Sequence, residues 1–163
     1  MSCLNFTQDC KSSNLDGVTD CLSRGVDINT VSEDVRWSGL TIAADRSYPE
    51  LLEILLSHPD IKINKATATC LLDCQWTALM FACERGNSAI VSRLVQVPGL
   101  DIYYQDEDYA GDAMSLASKN DHEEYDECLR ILTTTNQGNQ EFLQHCQNND
   151  LEEVRSCLAR GVD

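Results

Sequence analysis

The chain repeats itself, and this repetition constrains its fold more than any other feature of the sequence. The segment LEEVRSCLARGVD at residues 151–163 matches LDGVTDCLSRGVD at residues 15–27, and the same offset of 136 positions aligns Phe142 with Phe6. Because 136 is four times 34, the offset predicts structural units of about 34 residues. Recurrence at such a period is typical of repeat proteins, in which neighbouring units stack to bury a shared core.

The interior of the chain follows a similar period. An offset of 39 positions aligns Trp37 with Trp76, and a further offset of 35 aligns Ala82 with Ala117. Each unit combines a segment rich in small residues, a polar break, an apolar stripe at helical spacing, and a turn followed by a short β-type stretch. Since neither helix of a unit is long enough to be stable alone, the pattern predicts stacked pairs of antiparallel helices joined by extended connectors.

The recurring residues resemble the ankyrin repeat. The tetrapeptides SGLT at 38–41, TALM at 77–80 and DAMS at 112–115 stand where that family has Thr-Pro-Leu-His, and GVDIN at 25–29 looks like its hairpin sequence. The resemblance implies an all-α solenoid of ankyrin-type helix–turn–helix units with β-hairpin connectors. The proline and histidine of the tetrapeptide are missing from every unit, so the hydrogen bonds that they provide in the family must be replaced or lost.

The resemblance divides the chain into an ankyrin array at residues 1–135, a linker at 136–140 and an additional cap-like or partial repeat at 141–163. The array comprises an N-terminal cap and three central repeats, at residues 3–29, about 30–64, 65–103 and 104–135. The linker prediction rests on the run TTTNQGNQ, which contains no hairpin sequence. We expect the chain to be part of a longer ankyrin protein, because it stops inside a motif that continues in its first copy; the alternative is that the final pair closes the stack.

The charge of the chain narrows the class of partner. Twelve Lys and Arg residues against 27 Asp and Glu residues give a net charge of −15. Nucleic acids and anionic membranes are bound through Lys and Arg, so we expect neither as a partner and favour a protein with a basic surface. Residues 101–127 concentrate the acidity, with ten carboxylates and one cation, Lys119. No apolar run approaches the roughly 20 residues of a membrane-spanning helix.

Nine cysteines in a chain without a visible export signal favour reduced, mostly buried thiols and a cytoplasmic location. Six of them fall within repeat helices, where we expect small buried residues: Cys10, Cys21, Cys83, Cys128, Cys146 and Cys157. Cys70 and Cys74 lie in the longest connector, where they form a disulfide or remain ordinary thiols; structural zinc would need four ligands. The sequence shows no catalytic spacing of nucleophile, base and acid, and predicts no metal, no cofactor and no enzymatic activity.

Connector tips and first helices line the concave face of ankyrin proteins, where partners usually bind. The resemblance therefore implies partner-binding residues at the matching positions: Val35, Trp37, Asp45, Arg46, Leu71, Leu72, Trp76, Glu84, Arg85, Asp108, Tyr109 and Lys119. Trp37 and Trp76 are the strongest candidates because Trp dominates interface energetics, although both indoles could instead pack on neighbouring connectors. Leu71 and Leu72 either contact a partner or fold back onto the core.

Asn64 occupies the hairpin asparagine position, with Leu56 eight residues earlier. This arrangement resembles the ankyrin asparagines that the asparaginyl hydroxylase of hypoxia signalling modifies; the alternative is a purely structural asparagine. The resemblance as a whole implies a monomeric, non-catalytic protein that binds a protein partner on its concave face. A second hypothesis is a structural module that self-associates through its repeat ends.

Overall fold

The computed structural model describes residues 4–67, 75–105, 111–119 and 123–160 of the 163-residue chain. These residues form an all-helical fold whose elements, in chain order, are α1 Leu4–Lys11, α2 Leu15–Ser23, α3 Gly39–Asp45, α4 Pro49–Leu56, α5 Ala78–Glu84, α6 Ser88–Leu94, α7 Ala113–Ala117, α8 Glu123–Gln147 and α9 Leu151–Ala159. No helix within these ranges is long and apolar enough to cross a membrane.

The helices stack in two rows, which confirms the predicted solenoid of helical pairs. The first helices α1, α3, α5 and α7 pack side by side, and the second helices α2, α4, α6 and α8 form the other row. In α3 every residue from Gly39 to Ala44 is buried, whereas α4 buries only a stripe at Leu51, Leu52 and Leu55. Helices this short derive their stability from packing rather than from propensity, so each repeat depends on its neighbours.

Short polar side chains replace the missing histidine of the tetrapeptide in two repeats. Ser38 caps α3 by accepting from the Thr41 N–H at 3.2 Å, and the two hydroxyl groups lie 2.9 Å apart. Asp112 caps α7 by accepting from the Ser115 N–H at 2.8 Å, while the Ser115 hydroxyl accepts from the Asp112 N–H. In the middle repeat Thr77 caps α5 by accepting from the Met80 N–H. The fourth tetrapeptide residue there is methionine, which has no hydroxyl group to return a second contact to the cap. The first residue of each tetrapeptide is therefore the N-cap of a first helix.

Hairpin asparagines join successive repeats. The Asn29 Nδ2 group donates to the Asp60 carbonyl oxygen at 2.8 Å, and its Oδ1 atom accepts from the Lys62 N–H at 2.8 Å. Asn64 makes the same pair of bonds one repeat further on, at 2.7 and 2.8 Å. Each amide thus satisfies both a donor and an acceptor of the next turn, and it fixes the spacing between repeats.

The first connector, residues 30–38, is less regular than the predicted β-hairpin. Within the described ranges no β-strand forms; Val31 and Ser38 make an isolated antiparallel bridge. The Ser32 N–H donates to the Trp37 carbonyl at 2.9 Å, and Arg36 between them has a left-handed φ of 54°. The left-handed residue interrupts the extended backbone after a single rung, so this first connector is a tight loop and not a β-hairpin of paired strands.

Helix α8 differs most from the sequence prediction. It runs without a break through residues 136–140, which we predicted as a linker, so the array and the C-terminal pair share one helix. The segment contains no proline, and Gly138 alone costs only about 1 kcal/mol relative to alanine. The Thr134 hydroxyl donates to the Arg130 carbonyl at 2.8 Å, as threonine does inside helices.

Tyr103 marks the point where the repeat pattern ends. It aligns with Asn64 at an offset of 39, in the hairpin position that Asn29 and Asn64 use to reach the next turn. The Tyr103 hydroxyl instead donates to Asn136 Oδ1 at 2.7 Å. Because α8 continues where another hairpin would stand, a longer side chain replaces the asparagine and reaches the helix.

Five of the six cysteines predicted to be buried are buried: Cys10, Cys21, Cys83, Cys128 and Cys157. Burial raises the pKa of the Cys10 thiol to about 12 and that of the Cys128 thiol to about 11. The prediction for Cys146 is wrong, because this side chain is exposed. It lies on the C-terminal half of α8, beyond Leu132, which is the last residue of that helix that is fully buried.

Candidate partner-binding surface

Three aromatic side chains from two connectors and α5 form a contiguous group, here called the aromatic cluster: Trp37, Phe81 and Trp76. The Trp37 and Phe81 ring centroids are 4.8 Å apart at 57°, and those of Trp76 and Phe81 are 5.2 Å apart at 64°. Phe81 is buried, whereas both indoles are half-buried. Trp37 therefore packs on the neighbouring repeat and Trp76 packs within its own, and both indoles still present part of their surface to solvent.

Charged side chains beside the cluster pair across repeats. Arg85 donates from Nη2 and Nε to Asp45 Oδ1 at 2.6 and 2.9 Å. The Asp45 side chain is only 11% exposed, whereas that of Arg85 is 54% exposed. The aspartate is thus held within the stack, and the guanidinium group is the member of the pair that remains open to a partner.

Arg46 and Glu84 are tied to the ends of first helices. Arg46 Nη1 donates to the Lys11 carbonyl oxygen at 3.1 Å, which satisfies the C-terminus of α1. The backbone carbonyl oxygen of Glu84 accepts from the Tyr125 hydroxyl at 3.1 Å. In the Glu84 side chain, the buried Oε2 atom has no hydrogen-bond partner within the described ranges. Lys119 is exposed just after α7. These predicted binding residues therefore include one exposed cation in each of the three repeats.

The first connector tip is anchored to α1. Val35 is half-buried there, and its N–H donates to Asp34 Oδ1 at 2.9 Å. Asp34 also forms an ion pair with Lys11. The hydrogen bond from Lys11, with that from Val35, lowers the pKa of the Asp34 carboxyl group to about 2. Sequence reasoning missed Asp34, Lys11 and Phe81, since each acts through a contact with a different repeat.

Four predicted binding residues lie outside the described residues, namely Leu71, Leu72, Asp108 and Tyr109, as do Cys70 and Cys74 of the longest connector. Their roles stay predictions. In the part of the chain that the structure does describe, no group of three or more His, Cys, Asp or Glu side chains could hold a metal ion.

The acidic stretch has local structural roles as well as exposed charge. Asp112 caps α7, and Glu127 accepts two hydrogen bonds from Arg130 at 2.6 and 2.7 Å, which lower the pKa of its carboxyl group. Glu123 and Glu124 are exposed in the first turn of α8, where the helix dipole favours negative charge. The start of α8 therefore presents an anionic edge.

Comparisons with known proteins agree with this geometry. The family profile described as "Ankyrin repeats (3 copies)" matches residues 8–106 and 40–141. Among solved structures, "Crystal structure of the ankyrin repeat domain of Bcl-3: a unique member of the IkappaB protein family" matches with a TM-score of 0.63 and 22% sequence identity. The match covers 76% of this chain but 48% of that one, so it supports the fold alone. No curated protein sequence matches the chain. The chain belongs to the ankyrin repeat family.

Proposed function

We propose that the protein binds a protein partner through one face of its array. This partner face consists of the aromatic cluster together with Asp45, Arg46 and Arg85. The observation that carries the proposal is the aromatic cluster, because two half-buried indoles held by a buried ring provide rigid contact area at little cost in side-chain entropy. Ankyrin repeat proteins are in general non-catalytic interaction modules, and the partner face takes its residues from the connectors and first helices, which line the concave face in that family.

The charge of the chain supports a partner with a basic surface. The net charge is −15, and the anionic edge at the start of α8 lies on the same array as the partner face. Complementary charge accelerates association and excludes acidic proteins. The apolar contact on the tryptophans would then supply affinity, while the acidic surface would supply selectivity among partners.

Alanine substitution of the tryptophans tests the proposal. A partner is first obtained by affinity capture from the source cells and purified, and its Kd is measured by titration calorimetry. Trp37→Ala and Trp76→Ala should each weaken binding by about tenfold or more, as expected for interface hot spots. Urea unfolding of each variant establishes that the array still folds.

The matched control removes a side-chain contact that also joins two repeats but lies between second helices. Arg93 donates to Glu53 at 2.6 and 3.0 Å between α6 and α4, away from the partner face. Arg93→Ala should leave the Kd unchanged. If folded Trp37→Ala and Trp76→Ala variants bind as tightly as the parent chain, the proposal is wrong.

A second candidate function is self-association through the repeat ends. The exposed leucines Leu143, Leu151 and Leu158 at the C-terminal end favour it, since burying a group of large apolar side chains in an interface is energetically favourable. Sedimentation equilibrium separates the two functions, because self-association predicts a mass that rises with concentration and partner binding predicts a monomer.

Two further properties follow as proposals from family resemblance and composition. The buried free thiols support a reducing compartment such as the cytoplasm. Hydroxylation of Asn64 would act on a half-buried residue whose amide already bridges two repeats. Peptide mass spectrometry of the protein from its source cells tests the modification, and an unmodified Asn64 would favour the structural role.

A further inference from the structure

The C-terminal pair, formed by the end of α8 and by α9, repeats the N-terminal pair of α1 and α2 in sequence but is covered differently. The offset of 136 aligns Phe6 with Phe142, Thr7 with Leu143, Cys10 with Cys146, and Val18 with Val154. All four side chains of the N-terminal pair are buried. Of their counterparts, Leu143 is 50% exposed, the Cys146 side chain is exposed, and the other two are half-buried.

The two pairs share a buried cysteine and a capped second helix. Cys21 and Cys157, which are equivalent, are both buried. Asn14 and Asp150 cap the second helix of each pair, and each accepts a backbone hydrogen bond at 3.3 Å. The C-terminal pair is therefore folded like the N-terminal one, and the difference in burial comes from the outward face alone.

Helices α3 and α4 cover that outward face in the N-terminal pair. Helix α1 packs on α3, and α2 packs on α4. A Cβ atom built on Gly39 would lie 3.0 Å from Cys10 Sγ and 3.5 Å from the Phe6 ring. The missing side chain at Gly39 thus permits the close approach of α3 to α1. The surface of α3 and α4 is therefore one that fits a helical pair with this sequence.

We propose that the exposed apolar face of the C-terminal pair is the docking surface for a further ankyrin-type repeat, one that presents a face like that of α3 and α4. Leu151 and Leu158 extend this face and are 63% and 53% exposed. Covering such side chains contributes hydrophobic free energy in proportion to the area buried. The inference rests on the fold and is independent of the proposed function of the partner face.

A second copy of the chain, which the self-association candidate would place on these leucines, matches the face less well than a further repeat does. Its own α3 and α4 are already covered by its own N-terminal pair, and an exchange of pairs would leave as much apolar surface exposed as before. Each copy also carries a charge of −15, which opposes close association. The occupant is therefore a repeat that stacks directly on the C-terminal pair, as α3 and α4 stack on the N-terminal pair.

The test extends the full chain with its own second repeat. Residues 28–64 are appended after Asp163, which aligns with Asp27 in the sequence. Alkylation of Cys146 by iodoacetamide, followed by peptide mass spectrometry, reports coverage, and Cys10 in the same molecule gives the rate of a covered thiol. Docking should slow alkylation of Cys146 by about tenfold or more relative to the unextended chain. Far-UV circular dichroism should show the added helices.

The matched control carries Gly39→Leu in the appended copy alone. Leucine keeps the helix but fills the close approach, so Cys146 should remain as reactive as in the unextended chain. The proposal is overturned if the unsubstituted extension leaves Cys146 reactive, or if both extensions protect it equally. Protection of Cys146 in the unextended chain, with a doubled mass in sedimentation, would identify a second copy as the occupant and would also overturn it.

Discussion

Single polar side chains decide how this chain keeps the ankyrin architecture without its usual tetrapeptide. The Ser38 and Thr41 hydroxyls, and the Asp112 and Ser115 pair, supply the capping contacts that the absent histidine would provide. Asn29 performs the corresponding task between repeats, since its amide bridges to the next turn. These residues are small or short, and Ser38, Asp112, Ser115 and Asn29 satisfy backbone groups that would otherwise be left without partners.

Asn29→Ala should destabilise the protein by about 1–3 kcal/mol, because it leaves a backbone donor and an acceptor of the next turn unsatisfied. Asn64→Ala should cost less, because Asn64 is half-buried and water can replace its bonds, whereas Asn29 is buried. Urea unfolding followed by circular dichroism measures both changes. Equal losses for the two variants would show that burial does not determine the strength of these bridges.

The ion pair of Lys11 and Asp34 makes stability depend on pH in the acidic range. The pKa of Asp34 is lowered from its ordinary value of 3.8 to about 2. Its contribution to stability is therefore complete above pH 3.8 and is lost as the pH falls toward 2. The urea midpoint of the parent chain should fall more steeply over this range than that of Asp34→Asn, and Lys11→Gln should reduce the slope similarly. Parallel pH profiles for parent and variants would contradict the assignment.

At the scale of elements, the period of the sequence predicted the paired helices well. The tetrapeptides begin α3, α5 and α7, and the apolar stripe of α4 is buried. The continuation of α8 through residues 136–140 was not predicted, because polar residues without proline are compatible with both a linker and a solvated helix. The contact of Tyr103 with Asn136 distinguishes the helix from the linker, because Tyr103 there reaches α8 where the earlier repeats use an asparagine to reach the next turn.

Gly138→Ala tests the continuity of α8. In the middle of a helix, alanine is more stable than glycine by about 0.5–1 kcal/mol, so the variant should unfold at a higher urea concentration and show greater helicity. In a flexible linker the same substitution would change neither quantity. An unchanged midpoint and unchanged circular dichroism would therefore restore the linker interpretation.

At the scale of the whole molecule, contacts between repeats determine what the candidate site looks like. Sequence position brought Trp37, Trp76 and Arg85 together as candidates, but Phe81 as their common packing partner could not be predicted. The pairing of Arg85 with Asp45 was likewise not predicted. The contacts of Phe81 with Trp37 and of Arg85 with Asp45 join residues about 40 positions apart, and they depend on how one repeat is rotated onto the next. The local pattern of a single repeat does not contain that rotation.

The central claim, that a partner binds on the aromatic cluster, is tested most directly by fluorine NMR. The chain contains two tryptophans, so protein labelled with 5-fluorotryptophan gives one signal from Trp37 and one from Trp76, while an unlabelled partner gives none. Assignment uses the single alanine variants. Titration with the captured partner to saturation, with complex formation verified by sedimentation, should shift or broaden both signals. A saturated complex in which both signals keep their positions and widths would contradict the account.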